Sequence, residues 1–215
     1  MKKLILETFG VTVGLLGLFK IFQFFLSEFW VGILVPALLL YVPFFVLPDK
    51  VHPFDFFDRS WKQLQLSFIV FGVAVLIVFP PFAFLAHFWM LWFEHKHGFE
   101  PASFVFFTEP LLLNLLVVAL PEEFYFRGFL QSRFNQLWPA KWRLLGAELG
   151  WGWIVTAVIF AFAHSVLNLQ WWHFSIFFPA LLFGYLRERT NSLTAPILFH
   201  TFSNCFMNWF AKSYF

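Results

Sequence analysis

Charge is scarce in this chain. Only 12% of its 215 residues are Asp, Glu, Lys or Arg, about half the share in soluble globules, while 60% are hydrophobic and the mean hydropathy is +0.75. An ordinary soluble domain is excluded, and a polytopic membrane protein is indicated. Cysteine is almost absent: the single Cys205 excludes an intrachain disulfide framework and any paired-cysteine zinc motif, and reads as a small packing residue. The formal net charge is only +2, and no basic run is long enough to suggest nucleic acid or a strong switch on anionic lipid. No repeat or low-complexity linker divides the chain, so residues 1–215 read as one transmembrane domain. Aromatics are abundant instead. The 37 Phe and 11 Trp supply lipid-facing bulk and interfacial anchors without pointing to a chemistry.

A span needs roughly 20 apolar residues, which gives about seven candidates and an all-α fold. They start near Ile5, Phe29, Leu66, Phe104, Trp151, Phe174 and Leu193. Pro48-Asp49-Lys50 bounds the second, Pro80-Pro81 predicts a kink in the third, and Arg187-Glu188-Arg189 ends the sixth. Lys2-Lys3 ahead of an apolar stretch resembles a signal peptide. However, Glu7 interrupts it, apolar character persists to Leu26, and no small-residue cleavage pattern follows, so the segment counts as a span. Residues 51–63, with Asp55, Asp58, Arg59 and Lys62, and residues 94–100 read as solvated interfacial loops without a catalytic part. If seven spans alternate from a cytoplasmic amino terminus, Lys2, Lys3, Lys50, Arg59, Lys62, Arg133, Lys141, Arg143, Arg187 and Arg189 fall inside. Only Lys96 and Lys212 then fall outside, with Lys20 and Arg127 within spans. This bias supports the count and that orientation, with a plasma (inner) membrane as the expected location.

The few charges in apolar surroundings therefore carry the information. The run Leu111 to Pro121 leads directly into Glu122-Glu123, with Arg127 one turn on. A charge at the centre of a spanning helix costs about 3 kcal/mol on insertion scales, so each of these residues needs a partner or water and marks a candidate functional site. Glu123 and Arg127 are four apart with the acid N-terminal, the favourable order for a helical pair. Glu122 projects about 100° away. One carboxylate can then be tied to the arginine while the other faces a cavity, an arrangement suited to acid–base chemistry. A buried ion-pair cluster that only fixes packing is the structural alternative.

His164 lies one turn after Phe160 in an apolar segment, and taken alone it would be a core histidine. His200 and Asn204 share a helical face, and both can donate hydrogen bonds, as an oxyanion requires. Interhelical bonding is the simpler role for that pair. Together, these residues from three late spans resemble an assembled site in an intramembrane polar cavity. The remaining histidines, His52, His87, His95, His97 and His173, fall at span ends or in loops. Simple counting leaves one mismatch of depth: Glu122 falls late in an inward span, His164 late in an outward one and His200 early in an outward one. A long fourth helix centred near Pro121, with a tilted or extended fifth helix, would bring them level.

The order Glu122-Glu123-x-x-x-Arg127, Phe160-x-x-x-His164, His200-x-x-x-Asn204, with Gly128 after the arginine, resembles the CPBP family of intramembrane endopeptidases. That family includes type II CAAX prenyl endopeptidases, bacteriocin-processing and immunity proteins, and enzymes that trim sorting anchors. The resemblance covers about the last hundred residues, with 104–212 as the catalytic core and 1–100 as variable amino-terminal spans. It implies a glutamic-type intramembrane protease that cleaves a membrane-anchored or lipid-modified protein or peptide without a cofactor. Glu122 and His164 would activate water, His200 and Asn204 would hold the oxyanion, and Glu123 and Arg127 would orient Glu122 and lock the helix.

Two Glu and two His would also serve as zinc ligands, and the spacing leaves a metal-dependent mechanism open. The lack of His-Glu-x-x-His, and the absence of a task for Asn204 at a zinc site, favour the metal-free reading. A non-catalytic immunity or scaffold protein binding a peptide or partner helix in the same pocket is the alternative. A proton-coupled transporter fits less well, because no inverted repeat is apparent.

Overall fold

The computed structural model describes residues 2–46, 52–169 and 171–215. The boundary expected at Pro48-Asp49-Lys50 lies outside them. The chain forms α1 (Lys2–Phe25), α2 (Glu28–Val46), α3 (Trp61–Trp92), α4 (Val105–Leu137), α5 (Trp151–Asn168), α6 (Phe177–Thr190) and α7 (Thr194–Lys212). Short 3-10 turns occupy Pro53–Phe56 and Trp171–Ile176. Among the described residues, α1 to α4 each contain a stretch long and apolar enough to cross a membrane, and α5 is a shorter apolar helix. This is a helical integral membrane protein.

Local chemistry accounts for the main departures from expectation. Helix α3 starts at Trp61 rather than near Leu66 because Ser60 caps it, its hydroxyl accepting the Gln63 N–H at 3.2 Å. The helix then continues without a break through Pro80-Pro81. Asp58, expected to be merely solvated, accepts hydrogen bonds from Ser67 of α3 and Thr194 of α7 and ties the two helix starts together. The fold also adds a small hairpin, β1 (Trp142–Leu144) paired with β2 (Ala147–Leu149). Its turn holds Leu145 at φ 44° and Gly146 at φ 84°, the double positive φ of the tightest hairpins. In the sequence, the only signal is the alternation Trp142-Arg143-Leu144 and Ala147-Glu148-Leu149 on either side of Gly146, too short to mark strands.

Helix α4 is the axis of the fold. Its 33 residues reach about 50 Å, well beyond the roughly 30 Å of a hydrocarbon core. It is not uniformly α-helical: π-helical turns at Asn114–Ala119 and Phe124–Gln131 flank the segment Leu120–Glu123. Pro121 has no N–H to offer the preceding turn, and the ladder there widens so that the Leu120 N–H bonds the Leu115 carbonyl.

Three helices pack on α4 in fixed register. Helix α5 runs antiparallel to it, with Gly152 against Asn135 and Phe126 against Phe160, ring centroids 4.7 Å apart. Helix α7 is also antiparallel: Asn204 meets Asn114, and Asn208 Nδ2 donates to the Phe106 carbonyl at 2.6 Å. Helix α6 runs parallel, with Arg127 donating to the Ala180 carbonyl and Gln131 to the Gly184 carbonyl, both at 3.1 Å. On the remaining side Thr12 of α1 bonds the Tyr125 hydroxyl at 2.9 Å. Arg133 reaches Glu7 at 3.1 Å and the Val46 carbonyl at 3.0 Å. Glu7 therefore stands in an apolar helix as the partner of a buried arginine.

Gly128 sits where the Pro53–Phe56 turn and the start of α7 close on α4. A Cβ there would lie 2.8 Å from the Phe56 ring and 3.2 Å from Leu193. Phe56 is buried and packs edge-on against Phe124, so it has little room to retreat. Gly128→Ala is expected to destabilise the protein by about 1–3 kcal/mol, read as a lowered thermal midpoint in detergent. An unchanged midpoint would show that the turn yields freely.

Candidate active site

The register of α4 against α5 removes the mismatch of depth. Because α4 continues to Leu137, Glu122 lies at mid-helix rather than near its end, and the antiparallel α5 brings His164 level with it. His164 Nε2 lies 3.8 Å and His200 Nε2 3.9 Å from Glu122 Oε2. Three helices thus converge on one carboxylate oxygen. That oxygen is buried and has no hydrogen-bond partner among the described residues, while the Glu122 and His164 side chains as a whole remain 20% and 27% exposed.

The imidazoles are oriented from behind. His164 Nδ1 lies 2.9 Å from the Phe160 carbonyl, which can only accept, so Nδ1 carries a proton and Nε2 is the nitrogen turned towards Glu122. Phe160, the aromatic one turn earlier, also stacks near that ring at 4.4 Å. His200 Nδ1 donates to Glu123 Oε1 at 2.9 Å, and its ring lies flat on Phe183 of α6, centroids 4.8 Å apart and planes 17° apart.

Glu123 is fully buried, and the same Oε1 accepts from Arg127 Nη1 at 3.1 Å. Arg127 spends a second donor on the Ala180 carbonyl, and its guanidinium lies 4.3 Å from the Phe160 ring centre and 5.1 Å from that of Phe183. The expected Glu123–Arg127 pair is therefore present, and its contacts extend to His200: Glu123 bridges the arginine and the histidine. A buried pair of this kind is tolerable because each charge also gains further hydrogen bonds or a ring face.

Asn204 stands one turn beyond His200, and its Nδ2 donates to Asn114 Oδ1 on α4 at 3.1 Å. Five of the six expected residues are thus linked by direct contacts around the two glutamates, and Asn204 joins them through α7. Asn114 and Phe183 also stand at the site. The signal for Asn114 was its place as the one polar side chain between Pro110 and Pro121; Phe183 gave none, being one of 37 phenylalanines.

Neighbouring ligands on one tetrahedral zinc lie about 3.3 Å apart. The 3.8 and 3.9 Å separations are wider, and among the described residues no group of three His, Cys, Asp or Glu is arranged to hold an ion.

A carboxylate faced by two oriented imidazoles and backed by a buried ion pair, within a bundle of membrane-spanning helices, is an arrangement able to carry acid–base chemistry. Residues 104–206 match the family described as Type II CAAX prenyl endopeptidase Rce1-like, a stretch that contains all six site residues. This match, to a little under half of the chain, supports a CPBP-type intramembrane protease. No curated protein and no solved structure gave a significant match.

Proposed function

We propose that the protein hydrolyses a peptide bond in a membrane-anchored or lipid-modified protein, using water activated by Glu122 and His164 and no metal. The observation that carries this reading is the convergence of His164 Nε2 and His200 Nε2 on the buried, unpartnered Glu122 Oε2. Both separations exceed a direct hydrogen bond, and a polar gap of that width suits a shared water. Such a water donates one proton to Glu122 and is oriented by the His164 lone pair. Its oxygen attacks the scissile carbonyl, and Glu122 then delivers the proton to the leaving amine as the C–N bond breaks.

The oxyanion formed meanwhile is held by His200 and Asn204. With Glu123 accepting at Nδ1, His200 donates at Nε2 as an imidazolium, whose charge Glu122 and Glu123 balance. Glu123 and Arg127 set the position of His200 in this scheme. The exposed edges of Glu122 and His164 mark where a cavity opening sideways in the bilayer would admit substrate. Seven crossings with a cytoplasmic amino terminus are the topology that the basic residues favour, and a plasma membrane is the location proposed with it.

The test is cleavage of membrane-anchored reporter peptides by the purified protein in detergent or lipid, with and without a strong chelator. Cleavage that survives chelation is expected. Loss on chelation, restored by zinc, would overturn the metal-free mechanism, and failure on all reporters would favour a non-catalytic peptide-binding protein.

A further inference from the structure

Asn114 is an intramembrane polar residue to which the mechanism gives no task. Asn114 lies on α4 eight residues before Glu122. In a regular helix that separation would carry it about 80° round from the Glu122 face. It begins the π-helical turn Asn114–Ala119, whose wider turns rotate less per residue and bring it back towards that face. An amide in an apolar run of a spanning helix, at a place where the helix geometry itself departs from α, calls for a function.

Its hydrogen bonds form a directed chain. Asn114 Nδ2 donates to the Pro110 carbonyl at 3.0 Å and approaches Cys205 Sγ at 3.8 Å. A carbonyl can only accept, so the Asn114 amide must present its nitrogen to Pro110 and its oxygen to α7. Asn204 must then offer nitrogen rather than oxygen to Asn114, as the 3.1 Å bond from Asn204 Nδ2 to Asn114 Oδ1 shows. One N–H of Asn204 is fixed by this contact and the second is left to donate elsewhere. Without Asn114, the Asn204 side chain could turn about its last bond and present its oxygen, which repels an oxyanion.

We propose that Asn114 is a positioning residue, which sets the direction of the Asn204 amide and so completes the oxyanion-binding pair without touching the substrate. This rests on the proposed proteolytic role of the same site. It makes the π-helical turn ahead of Glu122 part of the catalytic geometry.

The experiment is a double-mutant cycle on reporter cleavage by the full-length protein in lipid, comparing Asn114→Ala, Asn204→Ala and the double variant. Loss of an oxyanion donor costs about 10²–10³-fold in kcat, and loss of a residue that orients one about 10–100-fold. Asn204→Ala is expected in the first range and Asn114→Ala in the second, each with KM within about twofold of wild type on the same footing. The double variant should be no slower than Asn204→Ala alone, because Asn114 acts only through Asn204.

Multiplicative losses, or a raised KM in Asn114→Ala, would overturn the proposal in favour of an independent structural or substrate-binding role. Full activity in Asn114→Ala would overturn it too. Thermal midpoints of all forms are measured alongside, and should Asn114→Ala fail to fold, Asn114→Ser, which keeps a smaller hydroxyl acceptor and donor, takes its place in the cycle. Failure of the proteolytic reading would look different, with wild type inactive or Asn204→Ala fully active.

Discussion

Glu122→Gln is expected to lower kcat for reporter cleavage by about 10³-fold or more while leaving the thermal midpoint nearly unchanged. General-base catalysis contributes typically 10²–10⁴-fold, and an amide cannot take the proton from water. The exchange is nearly isosteric. No hydrogen bond ties Glu122 to the buried ion pair: its Oε2 has no hydrogen-bond partner among the described residues, and its two histidine neighbours lie at 3.8 and 3.9 Å. Folding should therefore tolerate the change. If Glu122→Gln cleaved at the wild-type rate, the assignment of the base would be wrong, whatever the family. Activity and melting must be compared on the same purified samples, since a folding defect would mimic catalytic loss.

The importance of Glu122, Glu123 and Arg127 was legible in the sequence because lipid penalises charge, and the i, i+4 spacing named one pair directly. Their common depth with His164 was not. Gln131, Ser132, Arg133 and Asn135 make the chain after Gly128 look like the end of a span, yet α4 continues to Leu137 because those side chains find partners. Gln131 and Asn135 both donate to Glu188, at 2.7 and 2.8 Å, and Arg133 is taken up by Glu7 and the Val46 carbonyl. A residue that looks too polar for a helix in lipid is acceptable when another helix supplies its hydrogen bonds, and such pairings between distant segments do not follow from local composition.

The same limitation explains Glu123. Its spacing pointed to Arg127, whereas its contact with His200, 77 positions away, required the antiparallel register of α4 and α7. Phe183 shows the complementary case. Its ring covers His200 on one side and the Arg127 guanidinium on another, a role that rests wholly on placement and not on residue type.

Arg127→Met should be the most damaging single change to stability. Arg127 is 1% exposed and Glu123 is fully buried, so removing the guanidinium breaks a buried ion pair and leaves the carboxylate with His200 as its one remaining partner among the described residues, which costs about 3–5 kcal/mol. For a chain of this size that amounts to a thermal midpoint lowered by roughly 10 °C. The change also frees the Ala180 carbonyl of α6 and uncovers the faces of Phe160 and Phe183, so the surfaces that orient His164 and His200 loosen together. Adding Glu123→Gln should recover much of the lost stability, because the buried charge is then gone and the amide can still accept from His200. Activity should not return with it, since the neutral amide no longer provides the anion that balances the His200 imidazolium. A double variant as unstable as Arg127→Met would show that Arg127 acts mainly through the Ala180 carbonyl and the two rings. A double variant as active as wild type would remove Glu123 from the catalytic geometry.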